Sequence, residues 1–126
     1  MSFGLVTREK NGQKKPTRYY SNKQEKSVAI ALNGKLTPNS GASKFSGGDV
    51  VIKEASMIIE CKCAMSEKNS VSIKKEWLEK NKNEGFSCRL SNNAVCINFG
   101  PDSNNYYVIN ERLMKFLVDK LVEENE

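Results

Sequence analysis

With 126 residues, 38% of them hydrophobic and 28% charged, the chain has the make-up of one soluble globular domain, large enough for a core and too small for two. The formal charge is +5 and histidine is absent, which excludes catalysis by an imidazole and the common zinc sites. No apolar run approaches the roughly 18 residues of a membrane span, and the first residues are polar and basic where a signal peptide is hydrophobic. An intracellular protein without a membrane partner is expected.

Residues 1–20 lack periodicity and carry Arg8, Lys10, Lys14, Lys15 and Arg18 against Glu9, a local charge of +4. They read as a flexible basic arm, suited to a phosphate backbone through Lys14, Lys15 and Arg18, or as a solvated tail. Ser21 to Gly34 is predicted as the first helix, with Ser21 as N-cap, Gln24 at N3 and Asn33-Gly34 as the stop. Val28, Ala29 and Leu32 follow Glu25 at helical spacing, so Glu25 shares the core-facing stripe. A carboxylate there costs several kcal/mol, on the order of a buried unpaired ion, unless it meets a partner, a metal or water; an edge position reaching solvent is the alternative. Lys35 to Gly48 is a loop of small polar residues in which Ser40, Ser43 and Lys44 suit phosphate contacts, although an ordinary connection has the same composition.

Asp49 to Ile52 and Ser56 to Cys63 read as two buried strands joined by a turn at Lys53, Glu54 and Ala55. Alternation puts Glu60 and Lys62 on one face and Ile59, Cys61 and Cys63 on the other, and Asp49 adds a second carboxylate. Two carboxylates about 4 Å apart repel by roughly 4 kcal/mol at an effective dielectric near 20, so a divalent cation is the natural compensation; an ion pair with a turn cap is the alternative. A second helix is predicted from about Ser72 to Glu84, ending at Gly85, with Ile73, Trp77 and Leu78 as its apolar side. Trp77 is expected in the core, with a stacking platform or a dimer anchor as the alternatives.

Phe86 to Leu90 and Ala94 to Phe99 read as a strand pair around Ser91, Asn92 and Asn93, with Cys88 and Cys96 as cross-strand neighbours. After a turn, Tyr106 to Ile109 is a short strand, and Asn110 caps a last helix with Leu113, Phe116, Leu117 and Leu121 facing the core. The C-x-C and C-x7-C spacings fit no zinc pattern, so the four cysteines are expected as reduced thiols. The fold class is α/β: after the arm of residues 1–20, residues 21–126 form a single domain with a central mixed β-sheet flanked by helices.

Glu25, Asp49 and Glu60-Cys61-Lys62, together with the run SGASKFSGGDVVI, resemble the PD-(D/E)XK nuclease superfamily, and within it the Holliday-junction resolvases of archaeal and phage type. The resemblance covers about residues 21–110, and Gly48 stands where a proline often precedes the motif aspartate. It implies a restriction-endonuclease-like core and an enzyme with Glu25, Asp49, Glu60 and Lys62 as catalytic residues. Asp49, Glu60 and the backbone carbonyl of Cys61 would ligate Mg²⁺ or Mn²⁺, Glu25 would act through a water, and Lys62 would orient the attacking water. The implied substrate is DNA, as four-way junctions cut by a homodimer in a prokaryotic or phage-infected cell, contacted by Lys14, Lys15, Arg18, Ser40 and Lys44. A less selective nickase, repair or restriction-type nuclease is the first alternative. A catalytically silent nucleic-acid-binding module is the second.

Overall fold

The structure is a computed structural model that describes residues 17–37 and 49–126. These form α1 (Thr17–Leu32), β1 (Lys35–Leu36), β2 (Asp49–Ile52), β3 (Met57–Lys62), α2 (Lys75–Ser87), β4 (Asn92–Ile97), β5 (Tyr106–Val108) and α3 (Glu111–Glu124). Among the described residues, the five strands lie side by side in chain order. Every neighbouring pair is antiparallel except β3 and β4, which are parallel and joined through the crossover that carries α2. The chain is thus mixed α/β with one open mixed sheet, and Lys53–Ala55 forms the 3₁₀ turn between β2 and β3.

The first helix begins at Thr17, so residues 17–20 belong to it and not to an arm, and Ser21 lies inside the helix where it cannot cap it. Its stop is the predicted one. Asn33 takes φ 57°, and the Gly34 N–H donates to the Ala29 carbonyl at 2.9 Å, which closes the last turn. Gly34 is required for a packing reason: a Cβ there would lie 2.7 Å from Val50 Cγ1 and 2.9 Å from Ile52 Cγ1.

Each face of the sheet takes one helix. Val28 of α1 packs on Val50, Ile52, Ile59, Cys61, Ala94 and Cys96, with Val50 opposite Ile59 and Cys61 opposite Cys96 in the ladders. By alternation Ile58, Glu60 and Lys62 face the other way, toward α2. Contact with α2 runs through half-buried Trp77 and buried Asn81 and Gly85, four residues apart; a Cβ on Gly85 would be 3.2 Å from Ile58 Cγ2. Ile73 and Leu78, expected beside Trp77 on the apolar side, are 42% and 36% exposed.

Gly85 therefore serves close packing and does not end the helix, which continues to Ser87. Arg89 at φ 61° makes the turn, with the Leu90 N–H donating to the Gly85 carbonyl at 2.8 Å. The strand expected over Phe86 to Leu90 does not exist: Phe86 is the most exposed apolar side chain of the described residues, and Asn92 and Asn93 begin β4. Cys88 is exposed at the helix end, and the neighbour of Cys96 is Cys61; all four cysteines are free thiols.

Asn110 caps α3 as predicted, its Oδ1 accepting from the Leu113 N–H at 2.8 Å. Only Leu113 of the expected core face is buried, while Phe116, Leu117 and Leu121 are exposed together with Met114, Val118 and Val122. The amphipathic spacing of this helix is real, but spacing defines a face without saying what covers it. Beyond its first turn, which Arg112 ties to the Ser91 carbonyl at 3.0 Å, α3 leaves that face uncovered. Among the described residues, no helix is long and apolar enough to cross a membrane.

Candidate active site

The site is built on β3, the middle strand, where Glu60 is 4% exposed. The β2–β3 ladder sets Asp49 in register opposite Glu60. Two residues on, Lys62 shares the face of Glu60, and its Nζ stands 3.1 Å from Glu60 Oε2. Lys80 Nζ reaches the same oxygen at 3.9 Å from α2. The other carboxylate oxygen, Oε1, is buried and has no hydrogen-bond partner. One half of the carboxylate is thus held by two ammonium groups and the other half is unmatched.

The surroundings pin this arrangement from both sides. The Gln24 side-chain amide donates to the Lys62 carbonyl at 3.0 Å and to Cys96 Sγ at 3.6 Å, so α1 clasps the end of β3. Gln24 does this work in place of the expected capping role. Buried Asn98 accepts from the Ala64 N–H at 2.9 Å and donates to Cys63 Sγ at 3.5 Å, which fixes the chain leaving β3. On the α2 side the Trp77 ring centroid is 5.0 Å from Lys62 Nζ and 6.0 Å from Lys74 Nζ, within cation–π range. Trp77 is therefore a wall of the site as well as a packing residue.

Asp49 and Glu60 are paired in the β2–β3 ladder, and Lys62 lies two residues past it on β3, opposite Ile97 of β4. Glu25 is 6% exposed on α1, the helix over the Val50 and Ile59 face. Arg18 lies in the first turn of α1, and Lys14, Lys15, Ser40 and Lys44 lie outside the described residues. Among the described residues, no group of three or more metal-binding side chains stands together. Lys80 and Gln24 were missed as site residues. Lys80 lies three positions after Trp77 and next to Asn81, on the packed side of α2, and that offset is the signal in the sequence.

The Cys61 and Cys96 thiols belong to the opposite face, while Cys63 lines the cleft beside Lys62. Cys61 hydrogen-bonds Cys96 and holds its thiol below the usual range, while burial raises the Tyr107 phenol far above its own. Cys61 and Cys96 lie in the core under α1, with Tyr107 opposite Cys96 at its exposed edge. Chemically, the site offers a hard carboxylate oxygen, ammonium donors and an indole wall, a combination suited to phosphate chemistry and unsuited to soft-metal or thiol catalysis. No protein-family model, curated protein or solved structure matches the chain.

Proposed function

We propose that the chain is a metal-dependent endodeoxyribonuclease that cuts branched DNA, with the four-way junction as substrate and a homodimer as working form. The observation that carries this reading is Glu60: a buried carboxylate in the central strand, in register with Asp49, with one oxygen unpartnered and Lys62 beside the other. An orphaned buried acceptor costs about 1–3 kcal/mol, which a purely structural ion pair has no reason to carry. The donor chemistry fits Mg²⁺ or Mn²⁺: Asp49, Glu60 and the Cys61 carbonyl are hard oxygen ligands, and Glu25, next to the Gln24 that reaches the Lys62 carbonyl at the end of β3, would act through a water. A bound Mg²⁺ supplies charge on the phosphate and a lowered pKa for the attacking water.

The chain's own residues do the rest. Lys62 Nζ donates hydrogen bonds to the attacking water or to a non-bridging phosphate oxygen, and Lys80 adds a second positive charge against the same group. Gln24, by holding the Lys62 carbonyl, keeps β3 from shifting under load. The dimer is supported by α3. Its exposed apolar residues Met114, Phe116, Leu117, Val118, Leu121 and Val122 form an uncovered face that can meet the same face of a second copy, as an isologous two-fold contact does.

One observation favours a second reading. Lys62 and Lys80 already neutralise Glu60 without a metal, which also suits a silent nucleic-acid-binding module. The experiment is incubation of synthetic four-way junction and linear duplex with the protein in Mg²⁺. Paired incisions near the branch point, lost in Asp49→Asn, are expected. Cutting of both substrates alike removes junction specificity, and binding without any Mg²⁺-dependent cutting selects the silent module.

A further inference from the structure

Beside Lys62 the surface opens into a cleft of about 340 Å³ lined by Lys62, Lys68, Ser70, Ser72 and Trp77, with Val71 and Ala64 among its apolar walls. It is separate from the Glu60 carboxylate but shares Lys62 with it. Its volume is at the lower limit of small-molecule sites, that of roughly ten waters, and so of the order of one nucleotide and not of a base pair. The lining is divided in the way a nucleotide is divided. Ammonium and hydroxyl groups at Lys62, Lys68, Ser70 and Ser72 suit a phosphate, and the indole of Trp77 suits a base. Lys62 and Lys74 stand 5.0 and 6.0 Å from the ring centroid, and such a contact at a half-buried ring is weaker than base stacking, so the lysines yield to a base.

We infer that this cleft is a subsite for one unpaired nucleotide next to the scissile phosphate, its phosphate held by Lys68 and Lys62 and its base stacked on Trp77. The inference rests on the reading of Glu60 and Lys62 as a nuclease site, and it supplies what that site lacks, a means of telling branched from linear DNA. A base inside a duplex keeps both of its faces stacked and cannot lie on an indole. A nucleotide at a branch point starts paired, but with its stacking interrupted it is turned out onto the indole at lower cost.

Trp77 is the single tryptophan of the chain, so its fluorescence reports this cleft alone. The test is a titration in EDTA, where no cutting occurs, with a short oligodeoxythymidine, a blunt duplex of equal phosphate content and inorganic phosphate. Saturable quenching by the single strand is expected, with little from the duplex and none from inorganic phosphate. Trp77→Ala should weaken single-strand binding, read by anisotropy of a labelled oligonucleotide, roughly ten-fold or more, while Trp77→Phe stays within about three-fold. Lys68 is exposed, and Lys68→Ala should weaken binding without affecting the fold, which keeps the test valid if Trp77→Ala proves unstable. Equal quenching by duplex and single strand, or unchanged affinity in both Trp77→Ala and Lys68→Ala, overturns the subsite. Quenching by a protein that cuts nothing in Mg²⁺ keeps the subsite and removes the nuclease, and cutting without quenching does the reverse.

Discussion

Replacing Glu60 by glutamine separates a functional carboxylate from a structural one. At an effective dielectric near 20, the contacts at 3.1 and 3.9 Å amount to about 5 and about 4 kcal/mol of gross attraction. Against this stands the desolvation of a nearly fully buried carboxylate, several kcal/mol by itself, and the unmatched Oε1. Loss of the charge does not strand the lysines, because their side chains are 34% and 43% exposed and can turn to water. The opposing contributions nearly cancel. Glu60→Gln is therefore expected to change stability by no more than about 1 kcal/mol, while Mg²⁺-dependent cleavage falls roughly a hundred-fold or more. Urea unfolding in EDTA, followed by circular dichroism, gives the first quantity and the junction assay gives the second. A stability loss of about 3 kcal/mol or more, the cost of breaking a buried ion pair, would refute the reasoning and make Glu60 a structural residue.

Gly34→Ala should destabilise by about 1–3 kcal/mol, because its methyl meets Val50 and Ile52 in the core; an unchanged urea midpoint would contradict this. Gly100→Ala is the contrast, since the nearest obstacle is the flexible end of Glu67 and the loss should stay below about 1 kcal/mol. Leu121→Lys on the exposed face of α3 should yield a folded monomer by light scattering, and a dimer that persists would place the interface elsewhere. The Tyr107 phenol is raised above its ordinary value of 10.0, first by burial and then by the Cys96 thiol. Its contribution to stability is present below pH 10 and is lost as pH rises above that, so Tyr107→Phe should flatten the alkaline side of a stability–pH profile.

How much of this was legible in the sequence depends on whether a residue's role is local. The β2–β3 hairpin, the Asn33-Gly34 stop and the Asn110 cap are set by neighbours a few positions away, and all three stand as predicted. The strand expected at Phe86 to Leu90 is absent because Gly85 is not a helix stop but a contact with Ile58 on a distant strand. Arg89 then makes the turn at φ 61° in place of a glycine, leaving no local signal. The α3 face failed for the complementary reason, since an apolar stripe carries no label saying which surface it meets. At the site, Glu60 and Lys62 were legible by alternation along one strand. Lys80 and Gln24 reach β3 across the packing between helix and sheet, which no periodicity within one element encodes.

The parallel pairing of β3 with β4 also sets an order of assembly. β3 meets β2 across the short turn of residues 53–56, but Glu60 meets Val95 only after the whole of α2 has been threaded past. Closing that long loop costs entropy before any contact rewards it. The pairing of Asp49 with Glu60 is therefore expected to form before α2 brings Lys80 against it. Lys80 and Trp77 arrive with the last closure, so their removal should speed unfolding and leave the folding rate nearly unchanged.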